Sequence, residues 1–240
     1  MQIRLNKFIS DTGFCSRRGA DQLIEDGRVL VNGQRPELGT KVSSADLITI
    51  DNKPLVAKKE RIYLAFHKPV GITCTTELHI KDNIISYINY SERIFPVGRL
   101  DKPSEGLIFL TNDGDIVNKI LRAGNNHEKE YIVTVDKPIT EKFIDQMSKG
   151  VHILNTITKP CFIQKEGDYR FRIVLTQGLN RQIRRMCKAL DYSVVKLKRI
   201  RIMHIRLEGI GVGQWRNFTK SEMDKMNELI SHSIKTKEVS

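Results

Sequence analysis

The sequence has few of the residues that would place it in several large classes of protein. Its 240 residues include four cysteines, 7 prolines and a single tryptophan. The cysteines, Cys15, Cys74, Cys161 and Cys187, are far apart and form no C-x-x-C pair, and the six histidines lack metal-ligand spacing on a helix. We therefore expect neither a disulfide framework nor a metal site, and we expect a reduced, cytoplasmic setting.

Long apolar runs are also missing. No stretch approaches the ~20 apolar residues that a membrane-spanning helix needs, and the N-terminal residues contain no signal-like apolar segment. Hydrophobic residues make up 40% of the chain and charged residues 28%, as in ordinary globular proteins. We expect a membrane-free protein of one or two globular domains, and the composition argues against collagen-like, coiled-coil and wholly disordered classes.

Acidic residues are outnumbered. The chain has 28 Asp and Glu against 40 Lys and Arg, a net charge of +12, and residues 181–240 hold most of the excess. Between Arg181 and Arg206 there are nine basic residues and one acid, Asp191, interleaved with apolar residues. A basic but folded element of this kind favours a polyanion such as nucleic acid as partner. A merely solvated basic surface is the alternative.

The first 57 residues have the pattern of a small module with two helices. Leu5, Phe8 and Ile9 recur at helical spacing, and Ser16 is placed to cap a second helix that Gly27 ends. Short strands are expected at 29–31 and 47–50, with a tight turn at Asn32-Gly33 after the first of them. We therefore predict a domain of two helices and a short sheet over residues 1–57.

This module resembles the S4 RNA-binding domain. The matching blocks are residues 4–9, 15–18 and 27–33, which occur in that order and cover nearly all of it. The family commonly has Glu where this chain has Gly19, so the capping box of the second helix is missing. The resemblance implies that the module binds structured RNA.

The remaining chain, residues 62–231, is rich in short strand-like runs with helices between them. Such a mixture predicts a mostly antiparallel α+β domain. Residues 232–240 carry no such pattern and are expected to be a disordered tail. Strands are expected at 62–66, 107–110, 131–135, 170–175 and 203–207, and helices at 115–123, 140–148, 180–190 and 219–231.

The most informative stretch is residues 95–114. It places Asp101 between two cations, Arg99 and Lys102, in a loop bounded by Gly and Pro just before an apolar strand. Neighbouring cations favour an ionised carboxylate. Taken alone, an Asp in such a loop is more often a turn residue or an ion-pair partner than a catalytic group.

Three blocks together resemble the RsuA family of pseudouridine synthases. With the S4-like module in front, the resemblance extends over residues 3–231, and within the family it is most similar to the RluF branch. It implies an isomerase that converts a specific uridine of 23S ribosomal RNA to pseudouridine, and it leaves open whether a tRNA is also a substrate. The blocks are residues 95–114, 129–133 and 177–186, and the branch is indicated by 118–125 and 127–131.

The resemblance assigns four catalytic positions: Asp101 as the catalytic aspartate, Tyr131 as the base-stacking tyrosine, Arg184 as the partner of the aspartate, and Leu197 as an apolar wall. A carboxylate can attack or stabilise the electron-poor C1′ of a nucleoside, as in glycoside hydrolysis. The reaction keeps the base and needs one such carboxylate. The family's chemistry implies no cofactor and no metal, and we expect a monomer.

Base flipping also requires contacts with the flanking RNA, and the basic residues between Arg181 and Arg201 are expected to form a surface around the pocket that contacts phosphates. Two alternatives remain open: the same chemistry on 16S ribosomal RNA or on tRNA only, and a non-catalytic RNA-binding or ribosome-assembly protein. The predicted RNA-binding residues are Arg4, Lys7, Arg17, Arg18, Arg28, Arg99, Arg181, Arg185, Lys188, Lys196, Lys198, Arg199 and Arg201.

Overall fold

The computed structural model of the chain describes residues 2–56, 60–231 and 233, except for the side chain of Ala123. The tail expected at 232–240 therefore lies outside the described residues apart from Ser233. None of the helices in the described part of the chain has the length and hydrophobicity of a membrane-spanning segment.

The chain divides into two compact units. The first gathers the described part of residues 1–62 together with two later segments, Tyr90–Ile94 and Asn112–Gly114. The second holds Tyr63–Asn89, Phe95–Thr111 and the described residues from Asp115 onward. Because later segments return to the first unit, no single cut in the sequence separates the two.

Two helices form the core of the first unit, as the sequence predicts. Helix α1 spans Leu5–Asp11, and helix α2 spans Arg17–Glu25. The Ser16 hydroxyl accepts a hydrogen bond from the backbone amide of Gly19 at 3.0 Å and so caps α2. The two helices bury apolar residues against the unit's strands: Leu5, Ile9, Ala20, Ile24, Val29, Val42, Ile48 and Ile50.

The strands of the first unit are short. They are β1 (Ile3–Arg4), β2 (Val29–Val31), β3 (Lys41–Val42), β4 (Ile48–Ile50) and β5 (Lys53–Pro54). Strands β2, β4 and β5 form an antiparallel sheet, and β1 pairs with β3. The predicted turn after β2 has left-handed backbone at both Asn32 (φ 52°) and Gly33 (φ 82°), which suits these residue types.

A nine-stranded sheet organises the second unit. The strands of this unit are β6 (Tyr63–Lys68), β7 (Phe95–Val97), β8 (Glu105–Thr111), β9 (Lys129–Val135), β10 (His152–Ile153), β11 (Thr156–Ile157), β12 (Phe162–Gly167), β13 (Arg170–Leu175), β14 (Val194–Ile202), β15 (Ile205–Arg206) and β16 (Trp215–Asn217). The main path of the nine-stranded sheet is β12-β13-β9-β14-β8-β6-β16, with β7 beside β8 and β15 beside β14. Every pairing in it is antiparallel except that of β14 with β8, so the predicted mostly antiparallel α+β class is confirmed.

Helices cover the sheet and enclose two apolar clusters. The helices are α3 (Ile84–Ile88), α4 (Gly114–Leu121), α5 (Glu141–Lys149), α6 (Gln182–Ala189) and α7 (Lys220–Ile230). Helices α5 and α6 pack on Val133, Phe171 and Ile173 in one cluster, while α4 and α7 pack on strands β6 and β8 in the other. Helix α7 begins with a complete capping box formed by Thr219 and Glu222.

One strand departs most from the sequence prediction. The expected strand at 203–207 is only the two-residue β15, whereas the long strand β14 occupies the basic stretch that precedes it. Four of the nine residues of β14 are Lys or Arg, and for this reason the pattern of apolar residues did not indicate a strand there.

Candidate active site

Alternate residues of neighbouring strands line one face of the central sheet. Lys129 and Tyr131 stand on β9, and Leu197 and Arg199 stand on β14. In the antiparallel register Arg199 lies opposite Tyr131, and Leu175 of β13 lies opposite Lys129. Residues opposite one another, or two apart along a strand, share a face. All five line the same cleft.

The cleft has a volume of about 480 Å³ and lies wholly in the second unit. Two loops complete its walls: residues 98–102 after β7 and residues 177–181 before α6. Its lining includes Ile183 from one apolar cluster and Leu121 from the other, so the cleft opens where the two clusters meet. A cleft of this size can hold a nucleoside.

Asp101 projects from the first of these loops. The amide of Ser104 donates to the Asp101 carbonyl at 2.9 Å, which closes a turn around the carboxylate. Lys68 holds this loop in place, because its ammonium donates hydrogen bonds to the carbonyls of Ser104 and Pro69 at 2.8 Å each. Lys68 is fully buried, and this desolvation lowers the pKa of its ammonium.

Two arginines approach the Asp101 carboxylate from the α6 side. The distance from Nε of Arg184 to Oδ2 of Asp101 is 3.6 Å, and that from Nε of Arg181 is 3.9 Å. Arg184 also donates to the Ser104 hydroxyl at 3.1 Å and to the Pro103 carbonyl at 3.3 Å. Burial lowers the pKa of Arg184, and the charge of Asp101 opposes that shift. Arg184 therefore connects helix α6 to both the carboxylate and its loop.

The turn before α6 holds a non-glycine residue in an unusual conformation. Arg181 has φ 50° and ψ 36°, the left-handed region that side chains other than Gly rarely adopt. Gln182 accepts a hydrogen bond from the Leu179 amide at 3.0 Å, and Arg185 donates to the carbonyl and the side chain of Asn180. These bonds hold the turn and aim Arg181 at the mouth of the cleft.

Two further cations are buried at the floor of the cleft. Lys129 is 7% exposed and Arg199 is 4% exposed. Burial, together with the neighbouring charge of Arg199, lowers the pKa of Lys129 to about 8. The cleft thus combines one carboxylate with cations at its rim and at its floor.

The structure brings the four predicted catalytic residues together. Asp101, Tyr131, Arg184 and Leu197 all line the cleft although they come from a loop, two strands and a helix. The predicted pairing of Arg184 with Asp101 is seen as an ion pair.

The predicted RNA-binding residues fall into different environments. Arg99 and Arg181 are exposed at the cleft, Lys188 and Lys196 are exposed elsewhere on the second unit, and Lys198 pairs with Glu105 at 2.9 Å. The surface position expected for Arg199 is wrong, since its side chain is buried inside the cleft. In the first unit Arg4, Arg17 and Arg18 are exposed, whereas Lys7 pairs with Asp11 and Arg28 with Asp51.

Arg201 also departs from the expected surface around the cleft. A bulge in β14 separates Arg199, opposite Tyr131, from Arg201, opposite Glu130. The extra residue, Ile200, turns Arg201 to the face away from the cleft. There its guanidinium is held by the carboxylates of Glu130 and Glu128, and the side chain is 15% exposed. These contacts favour a structural role for Arg201.

Sequence reasoning gave no role to Lys129 or Lys68. Lys129 lies two residues before Tyr131, so strand alternation alone could have placed both on one face. Nothing in the sequence pattern distinguishes Lys68, which adjoins Pro69 at the end of a strand. Among the described residues, no group of three or more His, Cys, Asp or Glu side chains could hold a metal ion.

The comparisons with known proteins agree with this geometry. Residues 62–189 match the family model described as RNA pseudouridylate synthase, and residues 3–48 match the S4 domain. The fold and its cleft thus define an RNA-modifying isomerase with an S4 domain in front. A crystal structure of a pseudouridylate synthase aligns with a TM-score of 0.69 and 29% identity, over 93% of this chain and 99% of that one.

Two curated relatives show the family in more detail. The chain is 55% identical over 234 residues to the dual-specificity RNA pseudouridine synthase RluF of Escherichia coli (strain K12), covering 96% of this chain and 80% of the relative. It is 32% identical to ribosomal large subunit pseudouridine synthase B of Bacillus subtilis (strain 168), covering 95% and 97%. The chain belongs to the RsuA family of RNA pseudouridine synthases and resembles the RluF branch, as its motifs predict.

Proposed function

We propose that the chain converts a specific uridine of 23S ribosomal RNA to pseudouridine and acts on a tRNA as well. The observation that carries this proposal is the cleft in which Asp101, held by Arg184, shares a lining with Tyr131 and Leu197. The 55% identity to a relative named as dual-specificity supports two classes of RNA substrate. The net charge of +12 suits both.

In this proposal the two domains of the chain have different roles. Residues 1–57 dock structured RNA through the S4 domain, and residues 62–231 carry the chemistry. The exposed Arg17 and Arg18 at the start of α2 can contact phosphates without reading bases. The enzyme acts as a monomer in the cytoplasm, where ribosomal RNA and tRNA are modified.

Asp101 performs the central step. Its carboxylate faces C1′ of the flipped uridine and forms a bond to that carbon or stabilises its positive charge as the bond from C1′ to N1 breaks. Arg184 is a positioning residue, because it holds both the carboxylate and the loop that carries it. The reaction is an isomerisation with no net change of oxidation state, so its chemistry requires no cofactor.

Tyr131 and Leu197 hold the base. The half-buried ring of Tyr131 offers a flat face on which uracil can stack, and its hydroxyl can help to remove the C5 proton after the new bond forms. Leu197 is buried at 7% exposure and supplies an apolar wall that keeps water from the reacting carbon. Arg99, Lys102 and Arg181 at the mouth meet the flanking phosphates.

Tritium release tests this proposal directly. RNA carrying tritium at C5 of uridine would be prepared as 23S, 16S and tRNA transcripts, and pseudouridines would be mapped in total RNA from a strain lacking the gene. We expect tritium release from 23S and tRNA transcripts and the loss of a pseudouridine from each RNA in the deletion strain. Loss from 16S RNA alone, or from tRNA alone, would overturn the substrate assignment.

A further inference from the structure

Arg199 has a buried donor that no group in the described chain satisfies. Its Nε donates to the Leu107 carbonyl at 2.6 Å, which fixes the guanidinium against strand β8. Its Nη2 atom is buried and has no hydrogen-bond partner among the described residues. Unsatisfied buried donors carry a desolvation cost, and native proteins keep few of them outside sites where a ligand completes the bond.

Lys129 adds a second uncompensated charge beside it. The Lys129 ammonium donates to the His127 carbonyl at 3.2 Å, and no ion pair to a carboxylate is found for it in the described part of the chain. The charge of Arg199 acts on it unfavourably, and burial does so more strongly. Two neighbouring buried cations that have no carboxylate partner can bind an electron-rich group that accepts hydrogen bonds.

The depth of this pair decides which part of a nucleotide reaches it. Arg99, Lys102 and Arg181 are exposed at the mouth, whereas Lys129 and Arg199 are almost fully buried on the sheet face that carries Tyr131. A flipped nucleotide enters base first and leaves its phosphates outside. The groups that meet the floor are therefore the carbonyl oxygens of uracil, which accept hydrogen bonds.

We infer that Lys129 and Arg199 bind the uracil carbonyl oxygens and stabilise the negative charge that the base acquires when it leaves the sugar. This inference rests on the proposed function. As the bond from C1′ to N1 breaks, its electron pair stays on the base and spreads onto the carbonyl oxygens. C5 then forms a bond to C1′, the C5 proton leaves, and N1 takes up a proton, so that atoms and charge balance.

The test compares two leaving groups under single-turnover conditions. Full-length protein, Arg199→Met and Lys129→Met would react with RNA carrying either uridine or 5-fluorouridine at the target site. Loss of the starting nucleoside would be followed by digestion and mass spectrometry. Fluorine withdraws electrons from the ring and makes the departing base a weaker base, which needs less help from the enzyme.

We expect each variant to slow the reaction of uridine RNA by about 10²-fold, the usual effect of removing a donor to a developing anion. The slowing should be at least tenfold smaller with 5-fluorouridine RNA. Arg170→Met removes an exposed arginine from β13, away from the cleft lining, and should leave both rates unchanged. Arg199→Lys keeps the charge and should recover part of the lost rate.

Two results would overturn the inference while leaving the proposed function intact. One is an unchanged rate for both Met variants, and the other is equal slowing with the two RNAs, which indicates a structural role or a contact with phosphate. Circular dichroism on the same samples excludes unfolding. An unmodified enzyme that converts neither RNA would instead overturn the proposed function.

Discussion

The backbone of Arg199 lies directly against Gly106 at the parallel junction of strands β14 and β8. A Cβ at Gly106 would stand 2.3 Å from the Arg199 carbonyl oxygen and 2.5 Å from its amide nitrogen. Gly106 also has φ +124°, a conformation that side chains rarely adopt. The strand that carries Arg199 and Leu197 can reach this position only because residue 106 has no side chain.

Gly106→Ala is therefore expected to destabilise the protein by about 2–4 kcal/mol, because both the strained φ and the clash with backbone must be relieved. Urea unfolding followed by circular dichroism measures the change. Gly167→Ala is the matched control, since nothing lies within 4 Å of the added Cβ. Its effect should stay within about 0.5 kcal/mol. Equal stability of the two variants would contradict this account of the junction.

Asp101→Asn should abolish turnover without unfolding the chain. Asn has nearly the same size and suits the same loop, but an amide is a poor nucleophile and brings no negative charge to C1′. Affinity for RNA should persist or rise, because phosphate contacts remain and one repulsive charge is gone. Tritium release, filter binding and circular dichroism measure the three properties. A folded variant that releases tritium at the normal rate would remove Asp101 from the mechanism.

Arg184→Lys is expected to lower the rate of the chemical step by about 10–100-fold with little change in the affinity for RNA. The ammonium keeps the charge near Asp101 but cannot also bond the Ser104 hydroxyl and the Pro103 carbonyl, so the loop loses its fixed position. Single-turnover rates at saturating enzyme isolate this step. If only the affinity fell, Arg184 would be a phosphate contact and not a positioning residue.

Lys129→Met should make the protein more stable at neutral pH. Lys129 has a pKa of about 8 when folded against an ordinary value of 10.5, so between these pH values the unfolded chain binds the extra proton. The stability of the unmodified protein therefore rises with pH through that window. Among the described residues, Arg199 and His127 are the charged or titratable groups that interact with Lys129. Below pH 8 the buried charge carries its full cost.

The expected gain for Lys129→Met is on the order of 2 kcal/mol at pH 7, and it should shrink as the pH approaches 10. Urea unfolding at a series of pH values measures it. A gain that does not depend on pH would indicate improved apolar packing and not the removal of a buried charge. We thus expect Lys129→Met to be more stable than the unmodified protein and to react more slowly with uridine RNA.

The salt dependence of RNA binding should separate exposed from ion-paired cations. Lys188→Ala and Lys196→Ala remove exposed charges and should each lower the slope of log K against log salt by up to about one unit. Arg201→Ala should leave the slope unchanged but destabilise the chain by about 2 kcal/mol, because Glu130 loses a partner. A lower slope for Arg201→Ala would place that residue in contact with RNA.

Much of the fold and site could be predicted from the sequence because its signals are local. Ser16 caps α2 as expected, the turn at Asn32 and Gly33 forms, and the motif around Asp101 indicated a loop that lines the cleft. The positions of Arg199 and Arg201 could not be predicted. Both lie in one basic run, and only the bulge between them, which arises from pairing with β9, decides which faces the cleft.

The bulged residue Ile200 in β14 changes which side chains face the cleft from that point of the strand onward. In a regular strand of the same sequence Ile200 would lie opposite Glu130 and Arg201 opposite Lys129, so the Arg201 side chain would face the floor of the cleft as a third buried cation. The bulge thus allows one segment rich in Lys and Arg to contribute side chains to two different surfaces, the floor of the cleft and the ionic network with Glu130. A strand β14 of the same sequence without the bulge at Ile200 would therefore bring like charges together at the floor of the cleft, although every amino acid stayed the same.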